Sequence, residues 1–275
     1  MLGKTVVAIS STVMRGAVGL RPITFALERR GLTVWPVPTV MLPWHPGIGP
    51  STKTPNPDLP GHLADLGTRA NEIDAILTGY YALPEHVEAT AAFIDTVRRT
   101  RPGIPVLIDP VTGDEAGRYV PDAVATAVRE ELVPRADIIT PNVNELVDLG
   151  GSPDLVKAAE ALGARQVIVT SAVQEDGQIG TLLLENGNAT LVMHDEMDPC
   201  PKGTGDLFSA VYLASSMENA PADAVRDAAA ATFAAVRAST NDLLAYAAVV
   251  DDIANPDRSS VTVKAAADTA LRRAG

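Results

Sequence analysis

Gly203-Thr204-Gly205-Asp206 combines two glycines and an acid directly ahead of an apolar helical segment. Glycine lets a ligand approach the backbone closely, and the free N–H groups at a helix N-terminus favour bound negative charge. Such donors stabilise a phosphoryl group during its transfer, and Asp206 could accept the proton of the attacking hydroxyl. An acid in a first helical turn also stabilises a helix by itself, so the structural interpretation stays open beside the catalytic one.

A second motif, Asn142-Val143-Asn144-Glu145, directly follows an apolar segment. Asn142 and Glu145 could hold a hydrated Mg²⁺ and nucleotide phosphates, because Mg²⁺ keeps several waters and takes few carboxylates. The same spacing is that of a helix capping box, and both interpretations can hold together.

Two further polar positions end apolar segments. Asp109 precedes Pro110-Val111, and a carboxylate so placed needs a cation or hydrogen-bond donors as partner. Thr170 and Ser171 supply two hydroxyls that could meet phosphate oxygens. No P-loop, dinucleotide fingerprint, serine-hydrolase elbow or HExxH motif occurs, so the sequence favours none of those chemistries.

The elements that must position these residues alternate along the chain. Apolar segments rich in β-branched residues predict buried strands at residues 5–11, 33–40, 75–80, 105–111, 137–142 and 166–171. Amphipathic segments predict helices at residues 22–30, 59–72, 84–100, 121–132 and 152–162. This alternation predicts right-handed crossovers and a mostly parallel sheet, whose ligands bind beyond the carboxyl ends of the strands.

The pattern changes in the last third of the chain. Residues 179–185 and 189–194 flank Asn186-Gly187-Asn188 and predict an antiparallel hairpin. Two long helices are predicted at about residues 204–217 and 222–239. Residues 43–49 crowd two prolines and two glycines and are predicted to form a loop or flap.

Composition limits the function classes. The chain has 275 residues, is 46% hydrophobic and carries a net charge of −12, which disfavours nucleic acid and anionic membranes as partners. No composition shift divides it, so we expect one domain over residues 1–275. The single cysteine, Cys200, permits no intrachain disulfide, and the N-terminus lacks a signal-peptide pattern, so a cytoplasmic location is expected.

Taken in order, these motifs resemble the ribokinase-like superfamily and, within it, the pyridoxal kinases. The resemblance covers nearly the whole chain. It is carried by residues 11–19 (STVMRGAVG), 77–80 (LTGY), 109–111 (DPV), 119–121 (YVP), 136–142 (ADIITPN) and 203–208 (GTGDLF). It implies an α/β fold, the ribokinase-like three-layer sandwich with a mostly parallel central sheet and helices on both faces. It also implies a homodimer.

The resemblance further implies a vitamin B6 salvage enzyme that uses ATP and Mg²⁺ to phosphorylate the 5′-hydroxymethyl group of pyridoxal. Asp206 would be the base for the 5′-hydroxyl group. The anion hole would be Gly203, Thr204 and Gly205; the substrate would contact Ser11, Val18, His45 and Tyr80. The nucleotide would contact Asp109, Tyr119, Asn142, Glu145, Thr170 and Ser171, with Asp109 and Glu145 also serving the metal.

The flap departs from the family pattern. Where the family has Ser-Asn-His-Thr, this chain has Pro43-Trp44-His45-Pro46, and Pro46 offers neither a hydroxyl nor an N–H group. Two alternatives therefore stay open: a kinase for hydroxymethylpyrimidine or another small heteroaromatic alcohol, and a non-catalytic protein that binds B6.

Overall fold

Ten strands of the computed structural model, which describes residues 3–240 and 242–265, form one continuous sheet. In chain order the strands of this sheet are β1 (Thr5–Arg15), β2 (Thr33–Trp44), β3 (Thr54–Pro55), β4 (Ala75–Thr78), β5 (Val106–Ile108), β8 (Ile138–Ile139), β9 (Gln166–Glu175), β10 (Gln178–Glu185), β11 (Asn188–Asp195) and β12 (Thr262–Ala265). Their spatial order is β12-β11-β10-β9-β8-β5-β4-β1-β2-β3. A separate two-stranded ribbon consists of β6 (Gly113–Asp114) and β7 (Gly117–Arg118).

The centre of the large sheet is parallel. Strands β2, β1, β4, β5, β8 and β9 pair in parallel, and their carboxyl ends therefore share one edge. Beyond β9 the pairings with β10, β11 and β12 are antiparallel, and β3 is antiparallel to β2. The predicted mostly parallel sheet and the predicted hairpin are confirmed.

Helices cover both faces of the sheet. They are α1 (Leu20–Arg29), α2 (Leu59–Gly67), α3 (Pro84–Thr100), α4 (Asp122–Ala127), α5 (Val143–Gly150), α6 (Leu155–Leu162), α7 (Thr204–Ser216), α8 (Pro221–Ala238) and α9 (Val250–Ala254). Helices α1, α7, α8 and α9 pack on one face, and α2–α6 pack on the other. Side chains of β1 alternate between the two faces of the sheet. Val6 and Ala8 pack in the core on the α7 side, whereas Val7 and Ile9 pack in the core on the α3 side. This is the predicted three-layer α/β fold.

Helix boundaries follow local chemistry. Pro84 opens α3 at a position where its missing N–H costs nothing. Asn142 and Glu145 form a complete capping box that starts α5, and Gly151 ends α5 in the left-handed conformation. The predicted capping role of this motif is therefore confirmed.

The prediction of a loop over residues 43–49 is wrong at its start. Pro43 and Trp44 belong to β2, which continues because Trp44 pairs with Arg15 of a β1 that is longer than predicted. A proline is tolerated there because the short β3 pairs only with Val40 and Met41, so no ladder needs the N–H of Pro43. Within the described ranges, no helix is long and apolar enough to cross a membrane.

Candidate active site

The N-terminus of α7 lies against the loop between β1 and α1. Gly203 caps this helix with φ 101°, a conformation that favours glycine, and a Cβ on Gly203 would overlap the carbonyl oxygen of Ala17. The first N–H groups of a helix have no intrahelical acceptor, so those at the start of α7 remain available to a ligand. The N–H groups of residues 203–205 are therefore candidates for binding an anion.

Asp206 lies in the first turn of this helix and is partly buried. Its Oδ2 accepts a hydrogen bond from the N–H of Gly19 at 2.8 Å, which fixes the carboxylate against the β1–α1 loop. Among the described residues it forms no ion pair. Burial raises the pKa of Asp206 to about 6, although the bond from Gly19 opposes that rise. A carboxylate with such a pKa suits proton acceptance near neutral pH.

Asp109 directly follows β5 and is only 7% exposed. Its Oδ2 accepts a hydrogen bond from Ser209 Oγ at 3.1 Å, and Ser209 Oγ lies 2.9 Å from Thr140 Oγ1. Burial raises the pKa of Asp109 well above its usual value, and repulsion from Glu145 and Asp206 raises it further. The carboxyl groups of Glu145 and Asp206 therefore both lie close enough to Asp109 to repel its negative charge.

Glu145 is held by backbone donors on both of its oxygens. Its Oε1 accepts from Thr112 N at 2.7 Å, and its Oε2 accepts from Asn142 N at 3.0 Å. Burial nevertheless raises the pKa of Glu145 to about 7. Asn142 Nδ2 donates to the carbonyl of Gly113 at 2.7 Å, which joins α5 to the ribbon of β6 and β7.

The buried carboxylates fit a hydrated cation better than a bare one. Within residues 3–240 and 242–265, no group of three or more His, Cys, Asp and Glu side chains is placed to hold a metal ion alone. Asp109 and Glu145 repel each other electrostatically, and a divalent cation with its waters would relieve that repulsion. This donor set fits Mg²⁺ completed by water and phosphate oxygens.

An apolar cluster lies beside this carboxylate group. Val13, Val18, Val40 and Leu42 are buried together, and the half-buried Tyr80 packs against them. We call these five residues the β1–β2 cluster. The backbone of Tyr80 is fixed at both ends, because its N–H donates to Ser10 Oγ at 3.2 Å and its carbonyl accepts from Thr39 Oγ1 at 2.7 Å.

Ser11 connects the β1–β2 cluster to Asp206. It is 6% exposed, and a Cβ on Gly19 would overlap its carbonyl oxygen, so Ser11 and Gly19 lie in direct contact. Gly19 in turn donates to Asp206. The predicted substrate-contacting residues Ser11, Val18 and Tyr80 are thus brought to one place beside the predicted base.

The flap continues from β2 into a short 3₁₀ turn at Pro46–Ile48. His45 Nδ1 accepts from the N–H of Gly47 at 3.0 Å, and Trp44 Nε1 donates to the carbonyl of Gly49 at 3.2 Å. Burial lowers the pKa of His45 and so does the charge of Lys202, while Asp114 opposes the shift. His45 therefore lies within electrostatic range of Lys202 and Asp114, and Trp44 is hydrogen-bonded within the flap segment.

Tyr119, a predicted nucleotide contact, lies next to the ribbon of β6 and β7. It follows β7, its side chain is 43% exposed, and burial together with Glu145, Asp109, Asp114 and Asp206 raises its pKa. Its phenol therefore lies within electrostatic range of these carboxylates.

Thr170 and Ser171 occupy an irregular point of β9. Thr170 bridges to Asn142 and donates its N–H to the carbonyl of Pro141 at 2.9 Å. Ser171 is exposed with φ 53°, where the register of β9 against β10 shifts. The predicted end of the strand at residue 171 is wrong, because this bulge lets β9 continue to Glu175.

Sequence reasoning missed three contributors. Ser209 lies one helical turn after Asp206 on α7, and that spacing was a usable signal for its contact with Asp109. Lys202 Nζ forms an ion pair with Asp114 Oδ2 at 3.1 Å, which links the α7 loop to the ribbon. The donation from Gly19 to Asp206 joins segments 187 residues apart, and no local pattern signals it.

A protein-family model described as phosphomethylpyrimidine kinase matches residues 64–248. The matched region includes Asp109, Asn142, Glu145 and Asp206, which the fold brings to one edge of the sheet. The chain belongs to the phosphomethylpyrimidine kinase family. Curated relatives and a solved structure that are named as pyridoxal kinases also confirm the resemblance to the ribokinase-like pyridoxal kinases.

Two curated relatives illustrate the match. A pyridoxine/pyridoxal/pyridoxamine kinase of Bordetella avium is 38% identical over 232 residues, covering 78% of this chain and 78% of that protein. A pyridoxal kinase of Leifsonia xyli subsp. xyli is 32% identical over 236 residues, covering 79% and 83%.

Solved structures match over nearly the whole chain. The pyridoxal kinase of Leishmania donovani in complex with ADP and pyridoxamine has a TM-score of 0.83 at 26% identity, covering 95% of this chain and 99% of that chain. The pyridoxal kinase of Entamoeba histolytica has a TM-score of 0.86 at 22% identity, covering 96% and 99%, and shows the shared fold.

Proposed function

We propose that this family member is an ATP:pyridoxal 5′-phosphotransferase. It transfers the γ-phosphate of ATP to the 5′-hydroxymethyl group of pyridoxal, with pyridoxine and pyridoxamine as related acceptors, and yields pyridoxal 5′-phosphate and ADP. Relatives named as kinases of these vitamers, and a relative solved with ADP and pyridoxamine, support the substrate class.

The position of Asp206 carries the proposal. It lies between an anion site of backbone N–H groups and an apolar cluster that suits a flat ring, and Gly19 holds it in place at 2.8 Å. A protein that only binds its ligand has no need of a carboxylate so placed.

The reaction follows from this arrangement. The acceptor hydroxyl donates its proton to an oxygen of Asp206 as the hydroxyl oxygen attacks the γ-phosphorus, and the bond to the β-phosphate oxygen breaks to release ADP. The N–H groups at the start of α7 stabilise the charge on the transferring PO₃ group. Val18 and Tyr80 pack against the pyridine ring of the acceptor, and Ser11 forms a hydrogen bond with that ring.

The remaining predicted site residues would bind the nucleotide and its metal ion. Asn142, Thr170 and Ser171 would contact phosphates, and Tyr119 would cover them. Asp109 and Glu145 would hold Mg²⁺ through water. The metal would neutralise phosphate charge when bound.

A phosphorylation assay tests the proposal. The chain is incubated with ATP and Mg²⁺ and one acceptor at a time: pyridoxal, pyridoxine, pyridoxamine or hydroxymethylpyrimidine. We expect pyridoxal 5′-phosphate and stoichiometric ADP. Phosphorylation of hydroxymethylpyrimidine alone would favour the second candidate, which the name of the family model supports. Pyridoxal binding without ADP formation would favour a non-catalytic B6-binding protein.

A homodimer, a cytoplasmic location and a single domain over residues 1–275 stay predictions. Sedimentation of the purified chain would check the first of these.

A further inference from the structure

Lys53 directly precedes β3, in the segment that connects the flap to this strand. Its ammonium group lies over the ring of Tyr80. Its Nζ lies 3.4 Å from Tyr80 Oη and 6.0 Å from the centre of the ring. The side chain of Lys53 is exposed. Tyr80 belongs to the β1–β2 cluster, so this ammonium group lies beside that cluster.

The backbone around Lys53 is held in place. Thr54 and Pro55 pair with Met41 and Val40 of β2, and Asn56 Nδ2 donates to the carbonyl of Pro38 at 2.9 Å. The ammonium group is therefore presented from a fixed strand, and only the side chain of Lys53 has to move toward a ligand.

Two other cations close to the flap have acidic partners. Lys202 pairs with Asp114, and Arg15 pairs with Asp242. Lys53 forms no ion pair with any residue that the structure describes, and its one polar contact is the long one to Tyr80. Lys53 thus places a positive charge without an ionic partner among the described residues beside the ring of Tyr80.

The flap supplies few competing donors. Pro46 has neither an N–H nor a hydroxyl, and Trp44 Nε1 already donates to Gly49. A ring substituent that points toward this side would therefore meet two donors, the ammonium group of Lys53 and the Nε2–H of His45, and only Lys53 carries a fixed charge.

We infer that Lys53 is a specificity-determining residue that selects an acceptor ring bearing an anionic oxygen. This inference rests on the proposed function and narrows its substrate class. Pyridoxal, pyridoxine and pyridoxamine carry a ring hydroxyl that ionises readily, whereas an aminopyrimidine carries none. A charge-assisted hydrogen bond from Lys53 to that oxygen favours the hydroxypyridines.

The test compares two acceptors that differ only in this group, pyridoxine and 3-deoxypyridoxine. In Lys53→Met, we expect KM for pyridoxine to rise about tenfold with kcat little changed, and KM for 3-deoxypyridoxine to change less than about twofold. Lys53→Arg keeps the charge and should restore most of the preference. Lys157→Met, an exposed lysine of α6, is the matched control and should change neither KM.

The outcomes separate the two claims. If the unaltered chain phosphorylates pyridoxine but Lys53→Met changes KM equally for both acceptors, or for neither, the role of Lys53 is overturned and the kinase stands. If the unaltered chain phosphorylates no B6 vitamer, the proposed function fails and this inference fails with it. Thermal unfolding of each variant shows that any change is not a loss of folding.

Discussion

At the scale of single residues, the site is defined by carboxyl groups whose environments differ. Asp206 has one backbone donor, Asp109 has one hydroxyl donor, and Glu145 has several backbone donors, yet burial raises the pKa of all three. Functional sites commonly hold groups with such shifts, because a base must titrate near its working pH.

The pKa of Asp206 predicts the pH dependence of turnover. Only the ionised carboxylate accepts a proton, and burial raises its pKa to about 6. We therefore expect kcat/KM for pyridoxal to rise with pH across about pH 5–7 and then level off. The profile is measured at saturating ATP, so that ionisation of free nucleotide does not enter. A flat profile between pH 5 and 8 would argue against Asp206 as base.

The pKa of Asp109 predicts a trade between stability and activity. Because its pKa is higher in the folded chain than in the unfolded chain, Asp109 favours folding at low pH and loses that contribution as pH rises. Asp109→Asn keeps the shape and removes the charge. The variant should therefore have a higher Tm than the unaltered chain at pH 8, by about 2–4 °C for each kcal/mol gained, and a much smaller gain near pH 4.

Differential scanning calorimetry at pH 4, 6 and 8 checks this prediction, with turnover measured in parallel. We expect activity to fall in the more stable variant. A lower Tm for Asp109→Asn at pH 8 would show that the charge of Asp109 is compensated in the folded chain.

At the scale of elements, the contact between the β1–α1 loop and the start of α7 assembles the site. Gly203 meets Ala17, and Gly19 meets both Ser11 and Asp206. The anion site, the base and the apolar cluster therefore depend on one close approach of two backbones.

Substitution of Gly203 tests this contact. Gly203→Ala places a methyl group against the carbonyl of Ala17 at φ 101°, so we expect kcat/KM to fall by at least about 10²-fold, as on loss of an anion-hole donor. Gly163→Ala is the matched control. Gly163 has φ 69° with nothing within 4 Å of an added Cβ, so this change should cost about 1–2 kcal/mol in stability and leave kcat unchanged. Equal loss of activity in both variants would exclude a specific role for Gly203.

The sequence predicted helices and strands best where residues close together in the chain determine their boundaries. The bounds of α3 agree with its prediction because Pro84 fixes the start, and the hairpin of β10 and β11 follows from Asn186-Gly187. The extension of β2 through Trp44 and the bulge at Ser171 were missed, since both depend on the neighbouring strand. The gathering of the motif residues at one edge of the sheet was predictable, but the Lys202–Asp114 pair and the position of Lys53 beside Tyr80 were not, because tertiary packing alone creates those contacts.

At the scale of the whole molecule, a buried ion network fastens the C-terminal segment to the helical layer. Asp227 of α8 has a side chain only 5% exposed. It accepts from Arg258 Nη2 at 3.1 Å and Ser215 Oγ at 2.6 Å, and lies 3.6 Å from Arg30 Nη2. Ser215 lies about 18 Å along α7 from the anion site, so this network supports the fold rather than the chemistry.

Removal of Asp227 tests this assignment. Asp227→Ala leaves two arginines without their shared partner, and we expect a loss of about 3–5 kcal/mol in the free energy of unfolding, with kcat of the folded protein little changed. Glu72→Ala, at a carboxylate 47% exposed that pairs with Arg69 outside this network, is the control and should cost about 1 kcal/mol or less. Urea unfolding gives both values. A similar loss of unfolding free energy in the two variants would show that the buried network stabilises the fold no more than an exposed ion pair does.

The most direct test of the account is Asp206→Asn assayed with ATP, Mg²⁺ and pyridoxal. The amide keeps the size of the side chain but cannot accept the proton, so kcat should fall about 10²–10⁴-fold while ATP and pyridoxal still bind. Asp65→Asn, at an exposed position of α2, should retain full turnover. Near-normal kcat in Asp206→Asn, with substrate binding unaltered, would contradict the central claim that Asp206 receives the proton of the acceptor hydroxyl.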